Sequence, residues 1–226
     1  MAAIPDSRFY APLFSPWLGY GDFASFAALA RPYSLVSADR CYVLLMLARQ
    51  ALRVSGAWVE CGVYKGGTAM LLARVLAEAG RATTLHLFDT FQGMPRTDPS
   101  FDMHQAGDYA DTSAEAVEAR ILAVIGDAPV RVELCAGWIP DTFATAVMDR
   151  VALAHVDVDI HRSVIDCCEY LYPRLADGGM LVFDDYGFPT CPGARAAVDE
   201  FFRDKPETPL PLHTGQAIVH KLPTAS

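Results

Sequence analysis

From Gly56 onward the chain alternates short apolar runs with longer segments in which apolar residues recur every third or fourth position. The runs near 57–62, 83–88, 130–135, 151–157 and 179–184 read as buried strands. The segments near 67–80, 113–126, 162–176 and 193–204 have the period of amphipathic helices; in the third, the apolar positions are 164, 165, 168, 171 and 175. Strands separated by helices need crossover connections, so the pattern predicts a parallel sheet with helices on both faces. The end of the chain differs. Residues Leu210 to His213, a Thr214-Gly215 turn and then Gln216 to Leu222 predict an antiparallel hairpin, which brings an α/β, mostly parallel sheet to seven strands.

Before this alternation, Ser37 is a good N-cap for a helix running to about Val54, with Val43, Leu44, Leu47, Ala51 and Val54 on one face. Residues 1–36 are of another kind. They carry Phe9, Tyr10, Phe14, Trp17, Tyr20, Phe23, Phe26 and Tyr33, with prolines at 5, 12, 16 and 32 that break any long helix. Such a segment cannot form a core alone, so it is expected to pack on the domain over 37–226, as a lid or a contact between copies in a homo-oligomer.

Composition narrows the function. The chain has 226 residues, 52% of them apolar and 20% charged, enough for a sizeable core in one domain. A net charge of −9 opposes nucleic-acid binding, which needs a Lys/Arg-rich face. Neither a secretory leader nor an apolar stretch long enough to span a bilayer is evident, so a cytoplasmic location without membrane contact is expected. The six cysteines form no CxxC pair and read as small buried residues.

Acidic residues gather at the strand ends. Asp157 closes the run Val151 to Val156, and Asp184-Asp185 closes the run Met180 to Phe183, one helix and one strand later. Ligands of open parallel sheets sit at such ends. Hard oxygen donors there suggest a divalent cation, Mg²⁺ most readily. Turn chemistry and helix capping are the alternative, since Asp favours both. That alternative weakens when Asp159 joins the same edge, because like charges placed together need compensation.

At the first strand's end, the turn from Glu60 to Thr68 holds three glycines but departs from the G-x-G-x-x-G dinucleotide pattern. The second strand ends on Asp89, placed to accept hydrogen bonds from a ribose diol. An adenosine with a cationic amino-acid tail suits Glu60 and Asp89 better than a pyrophosphate does, which points to S-adenosylmethionine.

The runs Val59-Glu60-Cys61-Gly62-Val63-Tyr64-Lys65-Gly66-Gly67, Leu87-Phe88-Asp89-Thr90-Phe91-Gln92-Gly93-Met94-Pro95, Gly137-Trp138-Ile139-Pro140-Asp141-Thr142, Asp157-Val158-Asp159 and Asp184-Asp185-Tyr186-Gly187 together resemble the macrocin O-methyltransferase family. The resemblance implies a class I methyltransferase (Rossmann-like) fold, S-adenosylmethionine and Mg²⁺ as cofactors, and methylation of a hydroxyl on a small natural product, typically on a sugar. By position, Glu60, Gly62, Tyr64, Thr68 and Asp89 would line the cofactor with Trp138 near its adenine, and Asp157, Asp184 and Asp185 would hold the metal. The chain departs from the family's Asp-Gly-Asp-Leu-Tyr-Glu-Ser type of run at Asp157-Val158-Asp159-Ile160-His161-Arg162-Ser163, on the expected acceptor side.

Three residues are candidates for the base that deprotonates the acceptor: Asp157, Asp159 and His161, of which Asp157 helped by Asp159 is favoured. Three carboxylates on an octahedral Mg²⁺ leave about three positions, which a vicinal diol can chelate. A catechol-like phenol is an alternative acceptor, and a non-catalytic cofactor-binding partner is an alternative of another class. His86 and His155 lie inside apolar strands and are expected to be packed. The loop from Thr90 to Asp111, with His104, Asp108 and Tyr109, is long enough for a binding or closing role.

Overall fold

A computed structural model describes residues 15–223 of the chain. Phe9, Tyr10, Phe14 and the prolines at 5 and 12 lie outside the described residues. Seven strands form one sheet: β1 (Ala57–Cys61), β2 (Thr83–Asp89), β3 (Val130–Ala136), β4 (Val151–Val156), β5 (Leu175–Phe183), β6 (Leu210–Pro211) and β7 (Ala217–His220), in the order β3-β2-β1-β4-β5-β7-β6. The first five run parallel, and β7 pairs antiparallel with both β5 and β6, as the sequence pattern anticipates.

Helices α1 (Phe23–Ala30), α2 (Ala38–Ala51), α3 (Gly67–Glu78) and α4 (Ala114–Ile125) share one core with inward residues such as Trp58, Leu85, Leu87 and Val182. Helices α5 (His161–Leu171) and α6 (Pro192–Phe202) cover the other face over Val59, Phe88, Ala154 and Phe183. All six residues of β4 are buried, as expected for a central strand covered on both faces. Successive residues of a strand point to opposite faces. Glu60, His155 and Asp184 have the parity of Trp58, Leu153 and Val182, so all three face the α2 side.

One boundary differs from the expected pattern. The helix expected over 162–176 ends at Leu171, a single tight turn follows over Tyr172–Arg174, and the next strand begins at Leu175. Pro173 lacks the N–H that would continue the helical ladder. The described part of the N-terminal segment, from residue 15, is an integral layer: Phe23 and Phe26 are fully buried in the first core. Gly67, at the start of α3, allows this close approach, since a Cβ there would lie 2.5 Å from both the Ala30 carbonyl oxygen and the Ser34 Cβ.

Candidate active site

A cavity of about 250 Å³ opens at the carboxyl ends of β1, β2 and β4, where the strand order reverses between β1 and β4. One end is built by the turn after β1. Gly62 takes φ +84°, and its N–H donates to the Phe88 carbonyl at 2.9 Å. A Cβ on Gly62 would sit 1.8 Å from the Asp157 carbonyl oxygen, so only glycine lets the turn pack against the acid-bearing segment. Asp89 anchors the turn from below: Oδ2 accepts from the backbone N–H groups of Val63 (2.7 Å) and Tyr64 (2.8 Å), and Oδ1 from that of Phe91 (2.7 Å). Gly62, Tyr64, Thr68, Asp89 and a half-exposed Trp138 all line this end.

The Asp89 carboxylate therefore holds the turn with three of its four acceptor sites and keeps one, on Oδ1, for the cavity it lines. Replacing it with alanine is expected to cost roughly 1.5–3 kcal/mol of ligand binding at this end, about a ten- to a hundredfold loss of affinity. Calorimetric titration of the folded Asp89→Ala chain with S-adenosylmethionine reads this; unchanged affinity would remove Asp89 from the cofactor site.

The other end of the cavity is acidic. Asp157, Asp159 and Asp185 line it, and Asp185 Oδ2 accepts from the Asp159 N–H at 3.0 Å. Asp159 holds a left-handed backbone (φ +59°), uncommon for a residue with a side chain and frequent at functional sites. Burial pushes the Asp157 carboxyl well above the usual range, and the charge of Asp184 adds to this. Burial does the same to Asp185, with Asp157 as the next cause; it also raises Asp159, where His104 partly offsets it.

Asp184 is placed differently from the expectation. It is fully buried and absent from the cavity wall, and it pairs with the Arg40 guanidinium through Oδ2. Its Oδ1 accepts from Gln216 Nε2 (2.8 Å) and faces His155 Nε2 at 3.3 Å. His155 Nδ1 is in turn 2.8 Å from Glu60 Oε1. Burial alone would lower the His155 imidazole, but hydrogen bonds to Asp184 and Glu60 raise it well above the usual histidine range, so it donates from both nitrogens. Burial works against the Asp184 carboxylate too, yet the hydrogen bond and charge of His155, with Arg40, hold it below the usual range.

Two other expected site residues also lie off the cavity wall. Glu60 is fully buried beneath the turn, its Oε2 without a hydrogen-bond partner among the described residues. His161 begins α5 with its ring stacked on Phe101 (4.3 Å between centroids) and Nε2 3.3 Å from Glu200. His155 is packed, as its apolar surroundings suggested, but as the centre of a buried polar chain. Arg40 and Gln216 were not singled out in the sequence, where nothing local marks them; they come from α2 and the end of the chain and meet Asp184 only in the fold.

The chain is similar to known proteins over most of its length. The model of the macrocin-O-methyltransferase family matches residues 31–216. Mycinamicin III 3''-O-methyltransferase of Micromonospora griseorubida is 33% identical over 186 residues, covering 76% of this chain and 71% of that protein. Demethyldecarbamoylnovobiocin O-methyltransferase of Streptomyces niveus is 33% identical over 157 residues (66% and 58%). An 8-demethyl-8-(2,3-dimethoxy-alpha-L-rhamnosyl)-tetracenomycin-C 4'-O-methyltransferase of Streptomyces olivaceus is 31% identical over 158 residues (66% and 58%), so the chain spans under two thirds of the latter two relatives. The solved O-methyltransferase NovP superposes with a TM-score of 0.74 at 25% identity, covering 84% of this chain and 83% of that one. With a glycine turn and Asp89 at one end of its cavity, aspartates at the other and a family match over most of its length, the chain belongs to the macrocin-O-methyltransferase family.

Proposed function

We propose that this protein transfers a methyl group from S-adenosylmethionine to a hydroxyl of a small natural product, a sugar hydroxyl with a second oxygen beside it, with Mg²⁺ as the metal. The observation that carries this reading is that one cavity joins the turn at Gly62 and Asp89 to the aspartates at 157, 159 and 185. The rhamnosyl acceptor in the name of the Streptomyces olivaceus relative supports a sugar.

The residues present fit both groups. Glycine-turn N–H groups, the Asp89 carboxylate and the Trp138 face suit an adenosine. Bound there, the sulfonium supplies an electrophilic methyl group and leaves as a neutral thioether. At the acidic end the donors facing the cavity are carboxylate oxygens, and burial with mutual repulsion leaves them short of positive charge, which suits a hard divalent cation. Asp157 and Asp185 would hold the ion from the cavity side. Asp184, whose carboxylate is oriented by Arg40, Gln216 and His155, would be the third ligand. A bound Mg²⁺ lowers the pKa of a coordinated hydroxyl.

The chain's own work is then positioning and proton removal. The acceptor O–H gives its proton to a carboxylate of the Asp157–Asp159 pair. The freed oxygen would then be held toward the methyl group that S-adenosylmethionine would supply, with the methyl ether and S-adenosylhomocysteine as products. Glu60 acts through His155, without direct contact with the cavity. Tyr33, Ser34, Leu35 and Val36 form part of the cavity wall, so the end of the N-terminal segment closes one side of the site.

Release of S-adenosylhomocysteine from paired acceptors tests this function. A glycoside with a vicinal diol is expected to turn over, and its analogue lacking only the unmethylated oxygen to lose most of kcat/KM, because its reacting oxygen is no longer fixed in line. Equal rates for the two would overturn the chelated acceptor, and no release with any hydroxylated acceptor would overturn the activity.

A further inference from the structure

Three side chains from distant parts of the chain meet in the cavity wall beside the acidic end. His104 comes from the loop after β2, Asp159 from the segment after β4, and Cys191 is the residue before α6. His104 Nε2 is 3.6 Å from Asp159 Oδ1 and 3.6 Å from Cys191 Sγ, and Cys191 Sγ is 3.4 Å from Asp159 Oδ1. Zinc bonds sulfur at about 2.3 Å, imidazole nitrogen at about 2.0–2.1 Å and carboxylate oxygen at about 2.0–2.2 Å in tetrahedral sites. Those lengths put neighbouring ligand atoms roughly 3.3–3.6 Å apart. The triangle already has edges of that size.

The surroundings point the same way. A ligating imidazole almost always turns its other ring nitrogen to a carboxylate or carbonyl. Here His104 Nδ1 faces Asp108 Oδ2 at 3.4 Å, and that oxygen also accepts from the Gln105 N–H at 2.9 Å. The loop carrying His104 is pinned by two backbone bonds, Met94 N–H to Asp108 O (2.8 Å) and Gly107 N–H to Met94 O (2.9 Å). Because all three residues line the cavity, a fourth ligand can come from it. The donor types separate this cluster from its neighbour: nitrogen and sulfur suit zinc, whereas the oxygens of Asp157 and Asp185 suit magnesium.

We propose that His104, Asp159 and Cys191 form a second metal site, selective for Zn²⁺, with Asp108 as the carboxylate behind the histidine. On binding, the Cys191 thiol releases its proton to solvent as the zinc–sulfur bond forms, and His104 offers the lone pair of Nε2 while Nδ1–H points to Asp108. The site stands whatever reaction the cavity performs. Where the function proposed above holds, an occupied site ties up Asp159 and makes zinc an inhibitor.

Cobalt(II) is the probe, added to the whole chain in excess Mg²⁺ so that oxygen-only sites are filled. One equivalent is expected to give the near-ultraviolet thiolate-to-cobalt band and the strong visible bands of a four-coordinate ion, both removed by one equivalent of Zn²⁺. Cys191→Ser is expected to lose the near-ultraviolet band. Asp108→Asn, on a half-exposed side chain, is expected to weaken cobalt binding by roughly 10–100-fold while keeping the band at saturation. Absence of the thiolate band, or its survival in Cys191→Ser, overturns the site. Should Cys191→Ser fail to fold, His104→Gln decides: an unchanged spectrum and affinity overturn it.

Discussion

Treatment with a chelator is expected to abolish turnover and added Mg²⁺ to restore it, with binding of S-adenosylmethionine largely unaffected. The expectation rests on the kind of groups each part of the cavity offers: Asp157 and Asp185 bring carboxylate oxygens, whereas the turn from Gly62 to Tyr64 is held by Asp89 with no metal in between. Full turnover of a metal-free preparation would sink the metal assignment. The same ion should stabilise the fold, by about 2.7 kcal/mol at a hundred times its Kd. Its effect has a defined pH direction. Folding raises the pKa of Asp157 and Asp185, so the stability linked to their protonation is fully present below the unfolded value and lost as pH rises through the folded one. A cation replaces those protons, so its shift of Tm grows toward alkaline pH. Substitutions separate the two neighbours. Asp185→Asn relieves repulsion and raises the Tm of the metal-free chain. Asp184→Asn breaks a buried ion pair with Arg40 and costs about 3–5 kcal/mol.

That difference between adjacent aspartates explains how far the sequence could be read. The order of strands and helices, the closing hairpin and the gathering of acids at strand ends all follow from hydrophobic period, and the fold matches them. Of the residues expected to line a cofactor, Gly62, Tyr64, Thr68, Asp89 and Trp138 line the cavity and Glu60 does not. Depth was harder to read than position. Two consecutive residues leaving a strand point to opposite faces, so Asp184 and Asp185 do not present themselves alike. The same parity sends Glu60 and His155 to the α2 face. Counting alternate positions forward from Val182 and Trp58 places Asp184 and Glu60 there; identifying Arg40 and Gln216 as partners of Asp184 needs the packing of distant segments. The chemistry of an imidazole makes His161 a candidate base, but chemistry does not fix its direction. The left-handed turn at Asp159 starts a helix whose first residue stacks on Phe101 instead.

Asp157→Ala is expected to fold and to lose roughly 10²–10⁴ of kcat, the range for removing a positioned base, and more where a metal contact goes with it. His161→Ala retains most of its activity, because its imidazole is spent on Phe101 and Glu200 outside the cavity wall. Asp159→Asn discriminates within the pair. Its carboxylate lies beside His104 at 3.6 Å and its N–H holds Asp185, so the amide keeps the backbone contact while losing the charge. If Asp157 takes the proton and Asp159 supports it, Asp159→Asn loses less kcat than Asp157→Asn at saturating Mg²⁺. A larger loss in Asp159→Asn reverses their roles without moving the base off the pair. An inactive, folded His161→Ala beside an active Asp157→Ala would transfer the proton to the imidazole, and would require α5 to turn its first residue inward when the acceptor binds.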